Sequence, residues 1–225
     1  MTIHPELLDL LQQLVAFRTN ETEVAQAAWL QPLLTRWGGR VRVDEVLPGR
    51  VNMLATFPGR DSSRSILFEA HGDTIGGDVT MRLDAATGRL YGRGACDTKA
   101  AMAAMLFAIH RLHTEQRTPP VTVHFASTCK EESGGEGARA LLTAGFRADM
   151  TVVGEPTELK IIRAHKGIWR CRIVTRGVAA HSSAPARGVN AIYRMRRVLE
   201  ILELHYPEQV AQAAEVYARM MTEAR

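Results

Sequence analysis

The sequence has few cysteines, and none of them lie at the short spacing of a disulfide or zinc-knuckle motif. Three cysteines, Cys96, Cys129 and Cys171, occur among 225 residues, and no CxxC is present. An odd number of unpaired cysteines is typical of proteins that keep their thiols reduced. We therefore expect a cytoplasmic protein without a disulfide framework.

Long apolar runs are also missing. No stretch approaches the ~20 consecutive apolar residues that a membrane-spanning helix requires. The N-terminal segment, MTIHPELLDLLQQLVAF, lacks a basic start and contains Glu6 and Asp9, which argues against a signal peptide. We expect no membrane partner.

Positive charge is not concentrated. The formal net charge is +4, and the one short basic run, Arg194, Arg196 and Arg197, lies on a predicted helix. The sequence contains no nucleic-acid-binding motif and no basic stripe interleaved with aromatic residues. We interpret the run as a solvated helix face and expect no nucleic-acid partner.

Apolar residues make up 46% of the chain, which is enough for a sizeable core. Their spacing alternates between helical and extended segments. Helices are predicted over about 7–15, 21–37, 97–112 and 135–144, and strands over 51–57, 65–69, 121–128 and 150–153. This alternation predicts an α/β fold, a mostly parallel sheet flanked by helices on both faces.

The pattern changes near residue 164. The segment HKGIWRCRIVTRG alternates like a half-exposed strand, and a helix follows over about 190–204, continued by a polar helical tail. We therefore divide the chain into an α/β domain, residues 1–164, and part of a smaller α+β domain, residues 165–225.

Acids and one histidine recur where predicted strands and turns end. They are His71 and Asp73 after the strand at 65–69, Asp97 after YGRGAC, Glu131 and Glu132 after 121–128, and Glu155 after 150–153. In an open α/β sheet, ligands bind outside the carboxyl ends of the strands. We expect these junctions to converge on one crevice.

Such a cluster suits divalent metal ions. One imidazole and several carboxylates match Zn²⁺, or near neighbours such as Co²⁺ and Mn²⁺. Carboxylates crowded together repel one another unless cations are present. A pair of ions about 3.5–4 Å apart, bridged by one carboxylate, would relieve this repulsion and activate a water.

The adjacent Glu131 and Glu132 fit this interpretation. Neighbouring side chains in an extended segment point in different directions. One glutamate can therefore bind a metal ion while the other serves as general base. An isolated Glu–Glu pair would more often be a solvated turn, but the other acidic junctions argue against that alternative.

Several motifs together resemble one enzyme family. They are HGDT at 71–74, YGRGACDTKAAMAAML at 91–106, TCKEESGGEGARALL at 128–142, VVGEPT at 152–157 and GVAAHSSAPARGVNAI at 177–192. In this order they resemble the dinuclear zinc amidohydrolase and peptidase family of acetylornithine deacetylase, succinyl-diaminopimelate desuccinylase, aminoacylase and carboxypeptidase G.

The resemblance implies two divalent metal ions, with zinc expected and cobalt or manganese as alternatives. It implies that His71 and Glu155 bind one ion and that Glu132 binds the other. Asp97 would bridge both ions. Residues 1–164 would then be the metal-binding, catalytic domain, without its C-terminal part.

The resemblance also implies roles outside the metal ligands. Glu131 would be the general base, and Asp73 would orient the metal-binding histidine. Residues 165–225 would be part of a dimerisation, or lid, domain. In the family's homodimers, a histidine matching His181 stabilises the oxyanion in the partner's active site, and Asn190 and Arg187 would contact substrate.

The predicted function is that of a metal-dependent hydrolase. It would cleave an amide bond in a small N-acyl amino acid or short peptide, in the manner of acetylornithine deacetylase or the desuccinylase, with aminoacylase or carboxypeptidase as the alternative within the class. Family members continue beyond the position of Arg225 and supply a late histidine to the second metal, which His205 does not match. The alternative from another class is therefore a truncated, inactive metal-binding remnant or dimerisation module.

Overall fold

The computed structural model describes residues 4–162, 167 and 171–223 of the chain. Contacts within the chain divide it into two units, Met1–Ile162 and Arg163–Arg225. The sequence pattern places its boundary after residue 164. The roles assigned to the two parts remain predictions.

The first unit alternates helices and strands. Its elements are α1 (Pro5–Ala16), α2 (Val24–Arg36), β1 (Arg40–Leu47), β2 (Arg50–Phe57), β3 (Asp61–His71), β4 (Arg82–Asp84), β5 (Arg89–Tyr91), α3 (Lys99–Thr114), β6 (Val121–Thr128), α4 (Glu136–Thr143) and β7 (Met150–Val153). Strand β1 and the β4–β5 hairpin were not predicted from the sequence. Their residues are mostly exposed, so they carry no continuous apolar run.

Five strands form one sheet in the order β1-β2-β6-β3-β7. Strand β2 pairs antiparallel with both β1 and β6, whereas β3 pairs parallel with both β6 and β7. Every strand of this five-stranded sheet except β2 therefore runs in the same direction. The prediction of a mostly parallel sheet is confirmed.

Helices cover both faces of this sheet. On one face, Leu14, Leu30 and Leu106, from α1, α2 and α3, pack in the same core as Phe125 of β6. On the other face, Leu141 of α4 packs with strand residues, among them Leu54, Leu67 and Ala126. Phe125 and Ala126 belong to opposite faces because successive side chains alternate along a strand.

The second unit contains a short 3₁₀ helix, Pro185–Arg187, and the long helix α5, Ala191–Glu223, which passes through Pro207. The strand predicted over residues 165–177 is wrong for its described part, because residues 171–177 are not in a strand. A strand needs a hydrogen-bonded neighbour. The described part of this unit has only a bridge between Val178 and Val189. The rest of the predicted strand, with Trp169, lies outside the described residues except for Gly167.

None of the helices in the described parts of the chain combines the length and the apolar character that crossing a bilayer requires.

Two adjacent leucines of α4 test whether its face of the sheet is packed. Leu141 is 7% exposed and Leu142 is 57% exposed. We expect Leu141→Ala to lower the free energy of unfolding by about 2–5 kcal/mol, because it leaves a cavity. The matched Leu142→Ala should change it by less than about 0.5 kcal/mol. Urea unfolding of both variants measures this, and equal losses would contradict the described packing.

Candidate metal centre

The parallel register brings three strand ends to the same edge of the sheet. His71, the last residue of β3, lies opposite Thr128, the last residue of β6. On the other side of β3, Glu69 lies opposite Val153, the last residue of β7. The loops that carry the other acidic residues therefore begin at nearly the same level as His71.

The fourth acidic position precedes α3. The sequence pattern predicts that this helix begins at Asp97, but it begins at Lys99 and leaves Asp97 in the preceding turn. Lys99 is fully buried, and its Nζ donates a hydrogen bond of 2.8 Å to the carbonyl of Phe17. Burial lowers the pKa of Lys99 to about 8. This bond fixes the start of α3 to the end of α1, beside Asp97.

His71 is only 1% exposed, and both of its ring nitrogens have polar neighbours. Nδ1 lies 2.9 Å from the backbone carbonyl oxygen of Asp73. A carbonyl oxygen can only accept, so Nδ1 carries a proton and donates it. Nε2 then faces acidic side chains, 3.0 Å from Asp97 Oδ1 and 3.9 Å from Glu155 Oε1.

Nε2 of His71 needs a positively charged partner between itself and Asp97. In the neutral ring, a protonated Nδ1 makes Nε2 an acceptor, yet its nearest polar neighbour is the carboxylate of Asp97. Either a second proton or a metal cation must lie between them. Burial disfavours the charged ring, but the hydrogen bond with Asp97 and the charges of Asp73 and Glu155 outweigh burial and raise the pKa of His71.

The donor atoms of His71, Asp97 and Glu132 all lie within 4.8 Å of one another. The structure thus brings together side chains from separate strand ends and turns, and Glu155 lies beside them. One imidazole with several carboxylate oxygens is a donor set that divalent zinc, cobalt or manganese accepts. The residues present fit such an ion, and their individual roles as ligands remain predictions.

Two acidic side chains of the crevice, Glu155 and Glu132, resist ionisation. Burial, together with the charges of Asp97, Glu131 and Glu69, raises the pKa of Glu155 to about 7, although His71 acts in the opposite direction. Burial, followed by the charge of Asp97, also raises the pKa of Glu132. Protons therefore compete with cations for these oxygens, and a bound divalent ion would relieve the repulsion among them.

Asp73 does more than the sequence analysis assigns to it. Its backbone carbonyl, rather than its carboxylate, makes the short bond to His71, since Oδ1 lies 3.7 Å from Nδ1. The carboxylate accepts hydrogen bonds from the backbone amides of Glu131, at 2.9 Å, and Glu132, at 3.3 Å. One buried residue therefore contacts both the histidine and the loop with the glutamate pair.

That loop connects β6 to α4 and is tightly folded. Lys130 adopts a left-handed backbone with φ of 56°, and its carbonyl accepts the amides of Gly134 and Gly135. The buried Asn52 links the two ends of the loop, accepting the amide of Cys129 at 3.0 Å and donating to the carbonyl of Gly137 at 2.8 Å. These bonds leave the glutamate pair on a short loop closed at both ends.

Four further polar residues at this edge are absent from the sequence predictions. Glu69 accepts a hydrogen bond of 2.6 Å from Thr128. Glu23, Arg50 and Asn52 lie behind the loop. Glu69 is a carboxylate inside the apolar run SILFEAH, and this unusual position could have marked it as a candidate. Glu23 and Arg50 are 27 residues apart, and no local pattern connects them.

The remaining predicted residues lie in the second unit. His181 is exposed, and its Nδ1 accepts the backbone amide of Ser183 at 3.2 Å. Arg187 is exposed at the end of the 3₁₀ helix. The side-chain oxygen of Asn190 accepts the amide of Ile192 at 2.8 Å, which caps α5. The structure gives Asn190 a structural role, and the predicted roles of these residues at a substrate remain predictions.

Comparison with known proteins identifies the family. The family model for peptidase family M20/M25/M40 matches residues 67–223. This range is well over half of the 225 residues and contains the whole cluster around His71. The chain belongs to the M20/M25/M40 peptidase family. This confirms the resemblance inferred from the motifs and makes the cluster a candidate site for the divalent ions of a metallopeptidase.

Its relatives in this family include deacetylases and a desuccinylase. Acetylornithine deacetylase of Myxococcus xanthus is 40% identical over 167 residues, which are 72% of this chain and 43% of that protein. The Vibrio cholerae enzyme of that name is 34% identical over 84% of this chain and 52% of its own length. A probable succinyl-diaminopimelate desuccinylase of Staphylococcus aureus is 28% identical over 90% and 52%. This chain therefore spans about half the length of the curated relatives it matches.

Two solved structures share the fold. A tripeptidase from Staphylococcus aureus superposes with a TM-score of 0.66 at 23% identity, over 87% of this chain and 55% of that one. Aminopeptidase PepT from Bacillus cereus superposes with a TM-score of 0.61 at 24% identity, over 87% and 56%. At these identities the likeness establishes the architecture of the sheet and helices.

The raised pKa of Glu155 predicts how metal binding depends on pH. Below pH 7 Glu155 holds a proton that an ion must displace, so zinc affinity should fall as the pH falls from 8 to 6. Below the pKa of Glu155, competition from this one proton should weaken zinc affinity by up to ~10-fold for each pH unit. We expect Glu155→Gln to bind zinc more weakly at both pH values but with a smaller difference between them.

Zinc titration of the metal-free chain by calorimetry measures both values. Glu158→Gln, which changes an exposed carboxylate three residues away, is the matched control and should follow the unmodified chain. An unchanged pH dependence in Glu155→Gln would show that Glu155 does not bind the ion.

Proposed function

We propose that this chain forms the metal-binding and base-carrying part of an amidohydrolase. The enzyme would cleave an amide bond in N-acyl amino acids or short peptides, in the manner of acetylornithine deacetylase or succinyl-diaminopimelate desuccinylase. The observation that carries the proposal is the meeting of His71, Asp97 and Glu132 within 4.8 Å, with Glu131 adjacent in sequence and held by the same carboxylate as Glu132.

Two divalent ions would be held by this cluster, with zinc as the expected ion and cobalt or manganese as the alternatives. His71, Asp97 and Glu155 would hold the first ion, and three protein ligands with an open position are typical of catalytic zinc. Asp97 and Glu132 would hold the second ion, whose further ligand in the family is a late histidine. When bound, such ions polarise the scissile carbonyl and lower the pKa of water.

Glu131 would be the general base. Its backbone amide donates to Asp73, which also accepts the amide of Glu132, so Glu131 lies on the loop that carries a member of the cluster. It would take a proton from the water that attacks the amide carbon. It would then give that proton to the nitrogen as the carbon–nitrogen bond breaks, releasing a carboxylic acid and an amine. Glu132 would hold the second ion and would therefore not serve as the base.

The names of the relatives support an N-acyl amino acid as substrate. The deacetylases match this chain more closely than the desuccinylase, and both names describe removal of an acyl group from an amine. We therefore place acetylornithine-like substrates first, with aminoacylase-type or carboxypeptidase-type substrates as the alternative. The three cysteines are free, which supports the proposed cytoplasmic location.

We also propose that the second unit forms the contact of a homodimer, in which His181 acts in the partner's active site. His181 is exposed, as such a role requires. The N-terminal half of α5 also exposes apolar side chains, including Ile192, at 74%, and Leu199, at 57%. Exposed apolar residues on one helix are typical of a surface that another protein segment covers.

The base assignment is tested by comparing two adjacent glutamates. Glu131→Gln should retain zinc but lose turnover by ~10²–10⁴-fold, because it removes a base and no ligand. Glu132→Gln should lose the second ion as well as turnover. Zinc content by mass spectrometry and amine release from N-acetylornithine, N-acetylmethionine and a tripeptide measure both effects.

Single-turnover conditions, with enzyme in excess, keep slow hydrolysis measurable if the second ion binds weakly. If the unmodified chain releases amine from every substrate no faster than Glu131→Gln does, the proposal that this chain hydrolyses amides is contradicted. Loss of zinc from Glu131→Gln as severe as from Glu132→Gln would reverse the two assigned roles.

Mixing variants tests whether His181 acts in the partner. A His181→Ala chain lacks only the contributed histidine, and a Glu131→Gln chain lacks only the base. In a random mixture, half of the dimers combine the two chains, and one of the two sites in each is complete. About a quarter of the unmodified activity should therefore return. A mixture that dimerises, by sedimentation velocity, without regaining activity would exclude action in the partner.

A further inference from the structure

A buried ion pair lies directly behind the loop with the two glutamates. Arg50, the first residue of β2, has 13% of its side chain exposed, and Glu23, just before α2, has 2%. Arg50 Nε lies 3.0 Å from both carboxylate oxygens of Glu23. Glu23 also accepts the backbone amide of Val51 at 3.3 Å. The guanidinium is thereby held in one orientation.

The guanidinium nitrogen Nη2, which also contacts Glu23 Oε1, faces Asp73. Arg50 Nη2 lies 3.7 Å from Asp73 Oδ2, the same oxygen that accepts the backbone amide of Glu132. The other oxygen, Oδ1, accepts the amide of Glu131. Asp73 is 2% exposed, so water does not compete for its oxygens. A continuous chain of contacts therefore runs from Glu23 to the backbone of the glutamate pair.

We propose that Arg50 is a positioning residue, which holds the carboxylate of Asp73 so that it fixes the backbone of Glu131 and Glu132 at the metal centre. This inference rests on the proposed function for the roles of Glu131 and Glu132. The contacts of Arg50 do not depend on that function. Among the described residues, the side chain of Arg50 pairs with Glu23 and Asp73 and with none of the predicted metal ligands. It acts through Asp73 alone, and Glu23 acts through Arg50.

The geometry explains why arginine stands at this position. A guanidinium carries several N–H groups in a fixed plane, so Nε and Nη2 can contact Glu23 while Nη2 also faces Asp73. A lysine has one compact charge and cannot reproduce the paired contact with Glu23 while facing Asp73. Two buried carboxylates without the guanidinium would also repel each other. Orientation and charge balance therefore both depend on this residue.

The test uses two readouts that need no turnover. In the metal-free chain, Arg50→Gln should speed hydrogen exchange of the amides of Glu131 and Glu132 by about 10-fold. The amides of Gly134 and Gly135 bond within the loop, to Lys130, and should change much less. Zinc affinity should fall by ~10–100-fold, as it does when residues that orient metal ligands are lost.

Two further variants separate positioning from a general loss of stability. Arg42→Gln removes an arginine from an exposed ion pair with Asp44 and is the matched control, expected to leave both readouts unchanged. The double variant Glu23→Gln/Arg50→Gln removes both charges of the buried pair. It should recover the melting temperature lost in Arg50→Gln but recover neither amide protection nor zinc affinity.

The inference is overturned if Arg50→Gln matches Arg42→Gln in both readouts. It is also overturned if the double variant regains zinc affinity together with its melting temperature, since the pair would then only stabilise the fold. A chain that hydrolyses none of the amides offered would refute the proposed function and leave this result unaffected, because neither amide exchange nor zinc binding requires hydrolysis.

Discussion

The parallel pairing of β3 with β6 and β7 is the constraint on which the candidate site depends. It places His71 opposite Thr128 and aligns the end of β7 with the same edge of the sheet. A shift of one residue in either pairing would move a whole loop and turn its side chains to the other face. The apolar residues on both faces prevent that shift, since each face packs against helices. The core thus determines where the acidic residues meet.

Strand β2 brings the beginning of a strand, rather than its end, to the candidate site. Because it alone runs against the other strands, its first residues rather than its last lie at the edge with the candidate site. Arg50 and Asn52 reach the loop after β6 for this reason. The parallel strands present the residues of the crevice, and the antiparallel strand presents residues that hold the loop from behind. A sheet with only parallel strands could not combine these two contributions at one edge.

Much of this arrangement can be predicted from sequence, and the limits have physical causes. The strands at 121–128 and 150–153 have the predicted bounds, because short apolar runs between turns are distinctive. The approach of His71, Asp97, Glu132 and Glu155 follows from their positions at strand ends and at the turn before α3. The orientation of β2 has no signal within the strand itself. The contacts of Arg50 with Glu23 and Asp73 therefore appear only in the folded structure.

The edge strand β1 and the region around residue 171 show two other limits. Strand β1 begins with an alternation of charged and apolar residues, RVRV, and this segment is a strand because β2 pairs with it. Residues 171–176 have an alternating pattern but no strand in the structure, because alternation predicts a strand only when a partner is available to pair with it. In both cases the neighbouring element, rather than the local sequence, determines the outcome.

The contacts of His71 have a consequence for the exchange of one metal for another. Its ring is buried and anchored through Nδ1, so this donor loses little conformational entropy when it captures an ion. Asp97 and Glu155 are much less restrained, with 51% and 39% of their side chains exposed. Carboxylates that can turn between one-oxygen and two-oxygen coordination accommodate ions of different radius. A site with one rigid donor and several adaptable ones should select weakly among zinc, cobalt and manganese, so the ion it carries would follow the supply in the cell.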